Sequence, residues 1–310
     1  MAAIAASCES PGEPELENAD ETVTVSLSVD ADDIVGPSGM VGARGGNVPG
    51  NIDRLVFAVY DVRDNLLPDM GYENGQIVMD VDRFPVSIEL TLVKKQQYKI
   101  AVWAQSSGCK AYDTSDLSAV TVDYSQIPTD SDVADAFCKS EVFTAVADGI
   151  RRIVLRRPLA RVEFLMRPDE LESVETSLAP VEQVQFSGAW MPNTINVLSS
   201  DVVADAGVNP AVFPVSPVAR QQSFAQLGTG YETPADGYVV LASAFVAAPS
   251  EMMFLNDLAF EMFFQNGNSC RIPVDKMPVQ RNYSTNILIS AQSVANQTQS
   301  RMSCKYYLNQ

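Results

Sequence analysis

Residues 151–166, Arg151-Arg152-Ile153-Val154-Leu155-Arg156-Arg157-Pro158-Leu159-Ala160-Arg161-Val162-Glu163-Phe164-Leu165-Met166, lie at the middle of the 310-residue chain. They read as one β-strand ending and another beginning. Ile153–Leu155 is a short apolar run and Leu159–Met166 a second. Pro158 between them has no N–H to give to a sheet ladder and belongs at a strand end. Pro158 is therefore the expected hinge between two domains, 22–157 and 158–310. The four arginines 151, 152, 156 and 157 invite comparison with a nucleic-acid patch. A chain of net charge −18 is repelled by phosphate, so the reading taken is a solvated interdomain rim that offsets acidic neighbours.

Working outward, a chain of this length exceeds what one hydrophobic core usually supports, and two domains of roughly 150 residues each are expected. Hydrophobic residues make up 46% of the chain, with 18 prolines and 17 glycines, a composition that suits a folded, largely β protein. The acidic balance argues against nucleic acid and anionic lipid surfaces as partners and suits a protein exposed outside the cell. No apolar run is long enough to span a membrane as a helix, so attachment would be by lipid or by partner.

The first residues, Met1 to Cys8, are small and apolar and end on a cysteine. Residues 9–21 then hold six acidic and no basic side chains. This resembles the tail of a bacterial lipoprotein signal in which Cys8 becomes the acylated residue, followed by an acidic tether over the rest of 1–21. The remaining cysteines are 109, 138, 270 and 304, two in each half. One disulfide per domain, Cys109 to Cys138 and Cys270 to Cys304, is one coherent arrangement for an exported chain, and four free buried thiols is the other.

Along the chain, Thr22–Val29 alternates strictly, with Val23, Val25, Leu27 and Val29 on one face and Thr24, Ser26 and Ser28 on the other, the pattern of a half-buried strand. Residues 30–51 follow as a loop too long and too glycine-rich for a simple turn, and loops of this kind in compact domains usually carry function. Its opening Asp30-x-Asp32 has the spacing of a calcium loop, but Ile34 and Val35 stand where an acidic ligand and a glycine are needed. Arg54–Val62 reads as a strand buried on both faces, with 86–93 and 98–104 following as a pair. Thr129-Asp130-Ser131 caps an expected short helix through Cys138, ahead of strands at 141–146 and 151–156. In the second half one helical turn is expected at Pro168–Ser173. Strands are expected at 159–166, 181–187, 237–247, 256–265, 269–275, 283–290 and 301–308, with a loop-rich stretch at 199–235. Many short strands without strand–helix alternation give an all-β chain of two tandem β-sandwich domains with minor short helices.

The chain contains no histidine, so Ser-His-Asp triads, Cys-His pairs and histidine-ligated metal sites are impossible. Thirty-nine acidic residues leave a carboxylate-pair glycosidase conceivable, but carboxylates at this density are mostly solvated surface and no spacing singles out a pair. There is no Walker or dinucleotide glycine motif. Neither an enzyme nor a cofactor is expected.

Four segments, in this order, resemble landmarks of the fimbrillin-like proteins of Bacteroidales, the type V fimbria subunit family. They are Leu155-Arg156-Arg157-Pro158-Leu159-Ala160-Arg161-Val162, the run Trp190-Met191-Pro192-Asn193-Thr194-Ile195-Asn196-Val197-Leu198, the run Tyr238 to Val246, and Pro278-Val279-Gln280-Arg281-Asn282-Tyr283-Ser284-Thr285-Asn286-Ile287. The last is the most specific, and the resemblance covers about residues 22–290. It implies two transthyretin-like β-sandwiches, export as a lipoprotein to the outer membrane and cell surface, and assembly into a fimbria with other subunits, self or heterologous. In such subunits an arginine-specific protease cuts the loop after the first strand, and the vacated groove accepts a strand from a neighbour. Here the displaced strand would carry Val23, Val25, Leu27 and Val29, and Arg44 is the only basic residue in the loop.

Burying those four side chains contributes roughly 6–12 kcal/mol, so a groove that has lost them strongly favours a replacement of the same period. The C-terminal segment supplies a candidate donor, with Met302, Cys304, Tyr306 and Leu308 alternating with Ser303, Lys305 and Tyr307. A Cys270 to Cys304 disulfide would tether that strand to its own domain, so the two expectations compete. The alternative function is a monomeric surface lipoprotein that binds glycan or host protein through its loops. Trp190 and Tyr231 lie near expected loops and would be its stacking residues, although packing in the core or rim is the competing role for each.

Overall fold

The computed structural model describes residues 21–30, 52–70, 75–128, 133–203, 210–225, 227, 233–295 and the backbone of 307–309. The first half contains strands β1 (Thr22–Asp30), β2 (Arg54–Tyr60), β3 (Gln76–Asp80), β4 (Val86–Val93) and β5 (Gln97–Gln105). It continues with β6 (Tyr112–Asp113), β7 (Val120–Val122), β8 (Ala136–Thr144) and β9 (Gly149–Val154). The second half opens with β10 (Leu159–Met166), helix α1 (Pro168–Ser177), β11 (Val181–Gly188), β12 (Thr194–Asn196) and β13 (Asp201–Val203). Short strands β14 (Ala211–Val212), β15 (Ser216–Pro217) and β16 (Gln221–Ser223) lead to β17 (Tyr238–Ala247) and β18 (Met253–Leu255). The chain then runs through β19 (Leu258–Phe264), β20 (Ser269–Val274), β21 (Met277–Val279), β22 (Ser284–Leu288), α2 (Ala291–Ala295) and β23 (Tyr307–Asn309). The fold is all-β, in two sandwiches, and no described helix is long and apolar enough to cross a membrane.

In the first sandwich a three-stranded sheet, β4-β1-β9, faces a four-stranded sheet, β3-β2-β5-β8. The inward side chains of β1 meet Leu55, Phe57, Val59, Ile100, Val102 and Phe137 in one cluster. β2 is buried on both faces, as its unbroken apolar run requires, because Val56, Ala58 and Tyr60 face a different cluster. The second sandwich pairs the sheet β16-β17-β10-β22-β23 with the sheet β14-β11-β19-β20, and β15 also joins β11. Between them Phe164 stacks on Phe260 with ring centroids 4.3 Å apart and meets Phe186 at 5.0 Å. The first strand of each sandwich is placed alike. β1 lies antiparallel to β4 and parallel to β9, and β10 lies antiparallel to β17 and parallel to β22.

The halves on either side of Pro158 share more than a hinge. A four-stranded sheet, β13-β12-β7-β6, takes two strands from each half. Tyr124 closes the same junction: its hydroxyl donates to the Pro192 carbonyl and accepts from the Ala247 N–H at 3.0 Å. The largest apolar cluster is continuous across it, with Val56, Trp103 and Cys138 in the same cluster as Leu159, Phe164 and Phe260.

Several expectations change. Strands 86–93 and 98–104 are not a pair, since β4 joins β1 while β5 lies between β2 and β8. Lys95, at φ 66°, turns the chain from one sheet to the other. The burial patterns explain the parting: β4 alternates and buries one face, whereas almost all of β5 is buried. The helix expected through Cys138 is replaced from Ala136 onward by β8, whose paired apolar side chains outweigh a capping signal lying mostly outside the described residues. α1 runs three turns rather than one, because Leu171 and Val174 give it a buried stripe. The 199–235 stretch contributes short strands at the sheet edges.

Candidate functional site

The candidate site is β1 with the groove it occupies. Its four inward side chains, Val23, Val25, Leu27 and Val29, are 7%, 2%, 0% and 0% exposed. β1 is the middle strand of its sheet, in register with β4 from Thr22 to Val29 and with β9 from Val25 to Asp30. Lifting it out would therefore open the core and leave two strand edges unpaired at once.

Charged side chains pin both ends. At the start, Lys94 Nζ lies 2.8 Å from Glu21 Oε1, and the ammonium holds the Glu21 carboxyl below its ordinary range. Asp148 Oδ1 accepts the Thr24 N–H at 2.7 Å. At the far end, Arg152 donates to Asp30 Oδ2 from Nε at 3.0 Å and from Nη2 at 2.6 Å. The Asp30 carbonyl takes the Leu155 N–H at 2.9 Å.

The chain after β1 re-enters the described residues at Ile52, which is buried in the same core as β1. Asp53 is then fixed through its carboxylate, which accepts the Ser107 N–H at 2.5 Å and the Ser107 hydroxyl at 2.7 Å. Partial burial pushes the Asp53 carboxyl up, and the Ser107 hydrogen bonds, with its own backbone N–H and the Lys110 charge, together outweigh it to leave the group below its ordinary range. β2 is held by the Asp53–Ser107 contact and by its ladders to β3 and β5, and it shares its inner core with β1.

Arg44, Cys8, Met302, Cys304 and Tyr306 lie outside the described residues, as does Tyr231. The backbone at Leu308 belongs to β23, which pairs with β22 at the edge of its own second sandwich, Leu308 opposite Thr285. Trp190 is half-buried against the large core, in the packing role rather than displayed for stacking. Cys109 and Cys138 are separate buried thiols and not a disulfide. Burial raises both, Cys138 to about 12. Cys270 is fully buried, with its Sγ 3.4 Å from the Val294 carbonyl oxygen.

The central arginines are not one solvated rim. Arg152 clamps β1, Arg151 lies over the Phe143 ring at 4.7 Å, and Arg156 is exposed while its backbone bridges to Cys138. Arg157 is 5% exposed. It forms a two-pronged pair with Asp135, Nε to Oδ1 at 2.7 Å and Nη2 to Oδ2 at 2.6 Å. Its Nη1 reaches Asn282 Oδ1 at 3.1 Å, and its guanidinium lies between the rings of Phe137 and Phe245. One buried arginine thus joins the two sandwiches. No sequence signal singled it out among its neighbouring arginines.

Fold and site together define a two-sandwich β protein whose first strand is enclosed in the middle of a sheet and clamped at both ends. The chain belongs to the family of unknown function DUF6562, whose model matches residues 17–289. Among solved structures it is similar to the fimbrial anchor protein Mfa2 of Porphyromonas gingivalis, at 10% identity and a TM-score of 0.48, covering 93% of this chain and 95% of that one. It is similar to a candidate cell adhesion protein of Bacteroides uniformis at 14% identity and a TM-score of 0.49, covering 94% and 99%. It is also similar to the C-terminally truncated tip fimbrial protein Mfa3 of P. gingivalis at 10% identity and a TM-score of 0.41, covering 93% and 99%. No curated protein matches the chain.

Proposed function

We propose that this chain is a structural or adhesive subunit of a cell-surface fimbria, assembled by strand exchange at β1 after cleavage at Arg44. In this reading the precursor is exported and held at the outer membrane by lipid on Cys8, and it performs no catalysis. The observation that supports it is the placement of β1: a middle strand with a wholly apolar inner face. A cut after Arg44 makes β1 a separate fragment held by non-covalent contacts alone, and a replacement strand recovers the roughly 6–12 kcal/mol that its four side chains contribute.

The test is limited digestion with an arginine-specific protease. The expected result is a first cut after Arg44, release of residues 1–44 on assembly, and Arg44→Ala that stays folded and monomeric. Polymerisation of Arg44→Ala equal to the parent's overturns strand exchange at this site and leaves the monomeric surface lipoprotein. Unmodified Cys8 in the mass spectrum of the native precursor overturns the lipid anchor.

A further inference from the structure

We propose that the β1 groove selects a donor strand bracketed by carboxylates, and that the C-terminal segment of a second copy of this chain is therefore not the donor, which comes from a subunit whose donor strand carries those acids. The inference rests on the strand-exchange reading above and concerns the partner that reading requires.

The groove is charged at its rims. Lys94 stands at one end and Arg152 at the other, and in the intact chain they are met by Glu21, just ahead of β1, and Asp30, its last residue. Asp30 keeps only 10% of its side chain exposed, so its position is a defined seat for an anion beside Arg152. A strand lying in the direction of β1 must then offer four alternate apolar side chains, a free N–H for Asp148 at the position of Thr24, and an acidic residue at one or both ends. Without an acid at the far end, Arg152 faces a neutral strand.

The chain's own C-terminal segment fails this test in every register. Residues 276–310 contain no aspartate or glutamate, and within 296–310 stand Arg301 and Lys305. When Met302, Cys304, Tyr306 and Leu308 take the places of Val23, Val25, Leu27 and Val29, Asn309 falls at Asp30 and Arg301 falls beside the Lys94 end. Shape adds to the mismatch. Tyr306 would enter the place of Leu27, which is 0% exposed, with a larger ring and a hydroxyl to satisfy. A donor with Val or Leu at those positions and acids at its ends has neither defect.

The experiment uses the full chain cut after Arg44, unfolded, separated from its 1–44 fragment and refolded with one fluorescent peptide in excess. The peptides are residues 21–30, the same sequence with Glu21→Gln and Asp30→Asn, and residues 300–309 with Cys304→Ser. The parent peptide should be retained about fivefold to tenfold more tightly than its neutral variant, a gap that closes when the protein carries Lys94→Ala and Arg152→Ala and narrows with added salt. The 300–309 peptide should be the weakest of the three. Equal retention of the acidic and neutral peptides overturns the carboxylate selection, and retention of 300–309 as tight as the parent overturns the exclusion of the C-terminal segment as donor. Failure to retain even the parent peptide overturns strand exchange itself, and this inference with it.

Discussion

Arg157 and Asp135, each 5% exposed, form a buried ion pair between two aromatic rings. Removing one partner strands the other charge in the interior, so Arg157→Met should lower unfolding stability by about 3–5 kcal/mol, read from the denaturant midpoint. Arg156→Met, one position earlier and exposed, should change it by no more than about 0.5 kcal/mol. Equal effects would return all four arginines to the rim. Cys138 carries a second prediction at this scale. Burial pushes its thiol up to about 12, against smaller pulls downward from Arg281 and Lys139, so the group is protonated throughout the neutral range. Iodoacetamide at pH 8 should leave Cys138 unmodified in the native protein and alkylate it in denaturant, with native alkylation as the contrary result. Neither residue announced its role in sequence. An arginine among arginines and a cysteine in a strand read the same whether buried or not, because burial depends on partners remote in the chain, 125 positions away for Asn282.

Among the elements, β1 was fully legible, because strict alternation over Thr22–Val29 leaves a strand one way to face a core. Leu27→Ala should cost about 2–5 kcal/mol by leaving a cavity in the middle of the first sandwich, while Ser28→Ala on the opposite face should cost under about 0.5 kcal/mol. Thermal unfolding of the two variants checks this, and similar losses would mean that β1 does not hold its register. β10 was legible from end to end for another reason, an apolar run with Pro158 just ahead of it. The pairing of strands was less so. β4 and β5 are separated by three residues and looked like neighbours, yet they sit in different sheets. Their patterns held the clue: a strand that alternates has one dry face, and a strand with an unbroken apolar run has two, so the two strands had different surroundings. The helix expected through Cys138 failed because a local cap competes poorly with the ladder that Ala136–Thr144 forms along β5.

At the scale of the whole molecule, we propose that Pro158 marks the boundary between two sandwiches that nevertheless unfold together. The shared sheet β13-β12-β7-β6, the continuous apolar cluster and the Arg157 pair all cross it. Calorimetry should show one cooperative transition for the full chain, and residues 22–157 alone should aggregate, since Trp103 and Tyr112 belong to the cluster shared with the second half. Two resolved transitions, or a stable monomeric 22–157 fragment, would make the halves independent. By itself the sequence determined the all-β class, the first strand with its inward face, most strand positions in the second half, and the absence of histidine chemistry. These follow from period and composition, which act over a few residues and are written locally. Only the tertiary structure decided which strands share a sheet, that Arg157 is a buried bolt while Arg152 is a clamp, and that β1 lies between two partners with a cation at each end. Those facts depend on which distant segments meet, and meeting is settled by the collective burial of apolar faces and the satisfaction of every backbone group, not by any one stretch of chain.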